Sequence, residues 1–267
     1  MNKLWITALA LFAINANALE LEGVFKQGGL IAVKDVNKYS SITINGTKID
    51  TTEQGDVYYP VGRKAEKLEV KYAPKGVANS LTKYYELEKQ EYKVQHIKGI
   101  KKKHVTPDPE HLKRIGKESK EIKASRVGNS AKYFNTALPE FILPTTGVET
   151  GVYGSSRTYN GEERNWHKGL DIANKEGTMV FAPLKGKVVL AMKDSFFNGN
   201  LVIIDHGKKI YSIYAHLYDI IANKGDIVEV GDPIGLMGTT GRSTGSHLHW
   251  GVYVGHQAVD PKFLLKD

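Results

Sequence analysis

The sequence predicts a mostly β protein: an immunoglobulin-like β-sandwich in front, a helical connector, and a second, antiparallel β domain behind. Three observations lead there. Short alternating strands punctuated by Gly, Asn and Asp turns fill both ends of the chain, a single stretch in the middle has helical periodicity, and 267 residues with 41% hydrophobic and 25% charged content can bury real cores. The expected boundaries are 1–18 for an export signal, 19–103 for the sandwich, 104–137 for the connector and 138–267 for the second β domain.

The first residues carry one Lys3, an apolar run from Leu4 to Ile14 and the small-residue pattern Ala16-Asn17-Ala18. That composition predicts a secretory signal, too short to span a bilayer, cleaved before Leu19. The expected compartment is the periplasm, with no transmembrane anchor.

Strands of the sandwich are read at Leu30–Val33, at Ser41–Ile44 followed by the turn pair Asn45-Gly46, at Lys67–Tyr72, at Tyr84–Leu87 and at Tyr92–Ile97. This region gathers no cluster of ligands or nucleophiles, and His96 reads as a surface residue. After the basic run Ile100–His104, Thr106-Pro107-Asp108-Pro109-Glu110 has helix-start chemistry: a capping side chain, prolines in the first turn and an early acid. Leu112, Ile115, Ser119 and Ile122 form the expected inward seam, lysines 113, 117, 120 and 123 the outer face, and Gly128-Asn129 the stop.

The second β domain holds every candidate for chemistry. In an extended strand, His247 and His249 of Ser246-His247-Leu248-His249-Trp250 project from one face about 6.6 Å apart, so two imidazoles can serve one site. Flanking Gly245 and Gly251 suggest close approach by a neighbour. Upstream, His167 and Asp171 would stand about 13 Å apart on a straight strand, too far to share an ion. Gly169 between them allows a bend that brings them together. Alternation in Tyr211–Leu217 puts Tyr214 and His216 on one face and makes His216 the remaining candidate.

No cysteine is present, which excludes a disulfide framework and a lipidated cysteine. The net charge of +8 and pI near 9.3 favour anionic partners such as cell-wall polymer or a membrane surface. Export and the lack of a recognised binding motif argue against nucleic acid.

His167-x-x-x-Asp171, the Tyr-Ala-His216-Leu strand and His247-Leu-His249, in that order in one domain, resemble the lysostaphin-type (LytM-like) zinc metallopeptidases of bacterial cell walls. Gly169-Leu-Asp-Ile-Ala173, Asp205-His-Gly207 and Gly238-Thr-Thr-Gly-Arg-Ser-Thr-Gly245 support the resemblance, which covers about residues 140 to 265. Ser246 and Trp250 depart from it, at positions where Pro and Phe are commoner; neither is a candidate ligand. Spacing alone does not separate ligand from catalyst among His216, His247 and His249. The resemblance implies a zinc ion on His167, Asp171 and His249, with His216 and His247 as catalytic histidines beside it. It also implies peptidoglycan as substrate and cleavage of stem-peptide or cross-link amides by D,D-endopeptidase action, with D,D-carboxypeptidase action as a companion. The opposing reading is a noncatalytic regulator of other wall hydrolases, although all five polar positions are retained. Arg157 could meet a substrate carboxylate or equally form an ordinary loop ion pair, His206 reads as structural rather than catalytic, and Glu162 and Glu163 read as exposed loop acids. His104, His111 and His256 have no expected role. The front module and its helix are expected to cover part of the groove.

Overall fold

The computed structural model describes residues 18–128 and 138–266, so the predicted export signal lies outside the described residues but for its last position. In front, seven strands form two sheets. These are β1 (Leu21–Gly23), β2 (Leu30–Val33), β3 (Tyr39–Ile44), β4 (Thr47–Lys48), β5 (Val57–Pro60), β6 (Lys67–Pro74) and β7 (Leu81–Glu86), ordered β1-β2-β5 and β4-β3-β6-β7. Alternation sets the faces: in β6, Leu68, Val70 and Tyr72 are buried while Lys67 and Lys71 are exposed. They meet Ile42, Ile44, Ile31 and Val33 in one core between the sheets. At the β3–β4 hairpin, Asn45 and Gly46 both have positive φ, 48° and 77°, which matches the twist of the flanking strands.

Strand β2 is buried along its whole length, because it serves two cores. Ile31 and Val33 face the front core, whereas Leu30 and Ala32, with Tyr58 of β5, join the main core of the rear domain. The three-stranded sheet is thus packed on both faces, and the front and rear parts share it.

Strand β8 (Val94–Ile97) leaves the sandwich to which the sequence pattern assigned it. It pairs in parallel with β10 (Ser156–Tyr159), Gln95 opposite Arg157, and β10 pairs in turn with β11 (Glu162–Arg164). Alternation identifies a strand but not a partner some sixty residues away, and a parallel pair needs a long crossover that local pattern does not show.

The crossover contains α1 (Lys102–Val105) and α2 (Pro109–Ala124). Asp108 caps α2 by accepting the His111 backbone N–H, with Pro109 in the first turn, as the start signal predicts. The inward face is rotated from the expected seam. Leu112 is 55% exposed and Ser119 is exposed, while His111, Ile115, Glu118 and Ile122 are half-buried. Glu118 decides this: its carboxylate accepts from Ser195 Oγ at 3.0 Å and from the Phe196 N–H at 2.8 Å, and it pairs with Arg114. Charge-assisted hydrogen bonds to a neighbouring turn outweigh the burial of one leucine. The helix also stops at Ala124, short of Gly128, where Ser125 Oγ donates to the Ile122 carbonyl and satisfies the last turn.

The rear domain contains β9 (Val148–Gly151), β12 (Leu170–Ala173), β13 (Met179–Phe181), β14 (Gly186–Ser195), β15 (Gly199–Gly207), β16 (Ile210–Ile220), β17 (Ile227–Val228), β18 (Pro233–Met237), β19 (His247–Val254) and β20 (Gln257–Val259). They make a ten-stranded sheet whose main path is β17-β14-β15-β16-β19-β12-β9, antiparallel throughout. Its two faces carry different cores. Leu170, Ile172, Val202, Ile204, Tyr214, Leu248 and Trp250 lie on one; Leu201, Ile203, Tyr211, Ile213, Ala215 and Tyr253 lie on the other. The candidate residues converge at the end of the second face, where β12, β19 and β16 run side by side.

Candidate metal centre

Three adjacent strands put one residue each in a row: Asp171 of β12 is registered with His249 of β19, and His249 with Ala215 of β16. The period-two reading of β19 holds: Leu248 and Trp250 enter the main core, leaving His247 and His249 on the opposite face. His167 precedes β12, and the chain bends at Gly169 as expected. The glycine is needed there for space, since a Cβ would meet the Trp250 carbonyl oxygen at 2.3 Å and His249 Cε1 at 2.9 Å. Gly251 is also approached, by the Tyr253 ring at 3.0 Å; Gly245, expected to be crowded, faces open space.

The bend closes a triangle. His167 Nε2, His249 Nδ1 and Asp171 Oδ1 stand 2.9 Å from one another on every side. His167 Nδ1 donates to the Val152 carbonyl at 3.0 Å, which turns the Nε2 lone pair inward. Burial pushes the His167 pKa down to about 4, so the ring is neutral near pH 7. Burial also opposes ionisation of Asp171, but the His167 and His249 imidazoles outweigh it and hold the carboxyl well below its usual value. Both groups are therefore in the protonation state that metal ligation requires. Two imidazole nitrogens and one carboxylate oxygen are a donor set that suits zinc and leaves it an open position.

Arg157 occupies the remaining side of Asp171. Its guanidinium donates to Asp171 Oδ2 at 2.5 Å and to Gln95 Oε1 at 3.0 Å. Of the two readings of Arg157, the structure contains the ion pair, made with a carboxylate of the protein. Gln95, invisible to motif reading, arrives through the parallel pairing of β8 with β10.

His216 stands beside this cluster for a reason that alternation does not supply. Its φ is +65°, and the β15–β16 register shifts between Tyr214 and Leu217. This bulge separates the expected pair: Tyr214 points into the main core and binds Ser212, while His216 lines the cleft. His216 Nδ1 donates to the Thr240 carbonyl at 2.8 Å, and His247 Nδ1 to the Gly245 carbonyl at 2.9 Å. Each therefore keeps Nε2 as an acceptor. The two rings lie 4.8 Å apart between centroids, and His216 is 6.3 Å from His249. Burial first, then the neighbouring imidazoles, push the His216 pKa down to about 3.

The five residues open onto a cleft of about 560 Å³. Gln95, Ile97 and Ile100 line part of it, as do Phe197, Asn198 and the 242–246 segment. The remaining histidines are apart from this cluster. His206 is fully buried, donating from Nδ1 to the Lys185 carbonyl and bonded through Nε2 to Ser212 Oγ at 2.6 Å. His104 and His111 pack on the Phe196 ring, and His96 and His256 are exposed. Glu162 and Glu163 are exposed too.

Two histidines and a carboxylate that open onto a cleft, with two further imidazoles alongside, form a group that could hold a metal ion. Residues 165–261, which include all five, match the model of peptidase family M23. The chain is 39% identical over 94 residues to the peptidoglycan DD-endopeptidase ShyB of Vibrio cholerae, covering 35% of this chain and 22% of that protein. It is 32% identical over 127 residues to the murein hydrolase activator NlpD of Escherichia coli, covering 48% and 31%. The chain thus spans less than a third of the length of either relative. A crystal structure from Pseudomonas aeruginosa described as a peptidase M23 superposes with a TM-score of 0.65 over 90% of this chain and 95% of that one, at 24% identity, which shows a shared fold.

Proposed function

We propose that the chain is a zinc-dependent peptidoglycan hydrolase of the periplasm that cuts amide bonds in stem peptides or their cross-links. Its expected action is that of a D,D-endopeptidase, with D,D-carboxypeptidase action at the same site. The observation that carries this reading is the 2.9 Å triangle of His167 Nε2, Asp171 Oδ1 and His249 Nδ1 beside two histidines that present Nε2. Zinc held by His167, Asp171 and His249 would supply a Lewis acid that activates water near neutral pH and polarises the scissile carbonyl.

The protein's own residues divide the remaining work. Arg157 holds Asp171 by its outer oxygen, so that Oδ1 faces the donors. His216, anchored to the Thr240 carbonyl, accepts a proton at Nε2, and the same nitrogen can return it to the leaving amine. His247, anchored to the Gly245 carbonyl, orients the reacting group from the opposite ring. The positive φ of His216 is strain retained where it aims a proton-accepting nitrogen.

Likeness to an activator of murein hydrolases raises a second reading, in which the chain stimulates another enzyme. The intact triad and both flanking histidines favour direct hydrolysis. Digestion of purified peptidoglycan by the chain alone, with and without chelator, tests this by mass analysis of released peptides. Chelator-sensitive release of stem fragments is expected. No release by metal-loaded protein would overturn the proposal.

A further inference from the structure

We infer that Arg242 is a carboxylate-binding residue of the cleft, and that it makes the enzyme prefer stem peptides bearing free carboxylates over amidated ones. This rests on the peptidoglycan reading above. Arg242 lies in the segment between β18 and β19, its backbone N–H donating to the Phe197 carbonyl at 2.9 Å. Its guanidinium carbon stands 4.3 Å from the Phe197 ring centroid and 4.7 Å from that of Tyr159. Two rings from distant parts of the chain thus hold the planar group, and cation–π attraction uses its faces while leaving its edge N–H donors unused.

Those donors find no partner among the described residues. The cleft has two other arginines, and both are neutralised: Arg157 by Asp171, Arg164 by Glu162. Among the described residues Arg242 has no ion pair, and burial, only partly offset by Tyr159, disfavours its cationic form. A half-buried, pre-positioned guanidinium without an anion is costly in the free protein. The cost is recovered when a carboxylate arrives, because the planar fork matches it with two parallel charge-assisted hydrogen bonds. A carboxamide offers one acceptor and loses the charge. His216 and His247 line the same cleft, so the anion recognised belongs to the peptide being cut. Stem peptides carry carboxylates that are free in some walls and amidated in others, so the residue would act as a wall-type filter.

The test uses the metal-loaded chain and two synthetic stem peptides of one sequence, one with free carboxylates and one fully amidated. For the wild type, kcat/KM should be about tenfold to a hundredfold higher on the free acid, the range of a charge-assisted hydrogen bond. In Arg242→Gln that ratio should collapse toward one, and in Arg242→Lys, which keeps the charge without the fork, it should be intermediate. Thermal unfolding of each variant shows whether the aromatic slot has survived. A wild-type ratio near one, or a ratio unchanged in Arg242→Gln, would overturn the inference. Should the chain hydrolyse neither peptide, calorimetric dissociation constants for the same pair decide the matter. A preference for the free acid that disappears in Arg242→Gln supports the inference even where the hydrolase reading fails, and equal affinities refute it.

Discussion

Arg157 and Asp171 form an ion pair 2.5 Å long, on the side of the carboxylate facing away from His167 and His249. Only one oxygen of Asp171 is left for a cation, and the arginine fixes which one. The pair is packed against Gly151, where a Cβ would stand 2.6 Å from both Arg157 Nη2 and Asp171 Oδ2.

Arg157→Met keeps much of the packing and removes the brace. Metal affinity should fall by about 10- to 100-fold, as is usual when an outer partner of a ligand is lost. Competition with a chelator of known affinity measures this. An unchanged affinity would mean that Asp171 is held by its backbone alone.

The three proposed ligands and His216 should separate by metal content. Asp171→Ala and His249→Ala should lose both metal and peptidoglycan hydrolysis. His216→Ala should retain metal while turnover falls by about 10²- to 10⁴-fold, the span of one acid–base group. Metal analysis beside the digestion assay reads both. A metal-free His216→Ala protein would reverse the division of roles.

Gly169→Ala tests the bend. Its new methyl would press on the Trp250 carbonyl and the His249 ring, so stability should fall by about 1–3 kcal/mol. Metal binding should fall with it, because the displaced ring carries a donor. Urea unfolding and metal titration of the same sample check both effects.

Stability should decline in mild acid through buried neutral histidines. The clearest case is His206, whose pKa burial pushes down to about 4 from an unfolded value near 6.5. Between these values the unfolded chain takes up the proton first. Its contribution is therefore complete above about pH 6.5 and is lost as the pH falls through 4, about 3 kcal/mol in all. His104 is displaced the same way by burial and adds to the slope. Urea unfolding of metal-free protein at pH 7, 6 and 5 should show the decline. His206→Gln should be less stable at pH 7 and should lose one proton's worth of pH dependence; an unchanged slope would show that His206 does not drive it.

What the sequence determined by itself was local chemistry: the Asn45-Gly46 turn, the Asp108 cap, the alternation that sends His247 and His249 to one side, and the need for a bend at Gly169. Each depends on backbone sterics or side-chain period within a few residues, so a short window contains the cause. Resemblance to a family added the domain's class. What only the tertiary structure decided involves partners far apart in the chain. The β15–β16 register places the bulge that turns His216 away from Tyr214, pairing with β10 takes β8 out of the sandwich, and Glu118 rotates α2 to reach Ser195. Arg157 meets Asp171 and Arg242 enters its aromatic slot for the same reason: a long charged side chain goes wherever folding provides a counter-charge or a ring, and sequence spacing does not encode that distance.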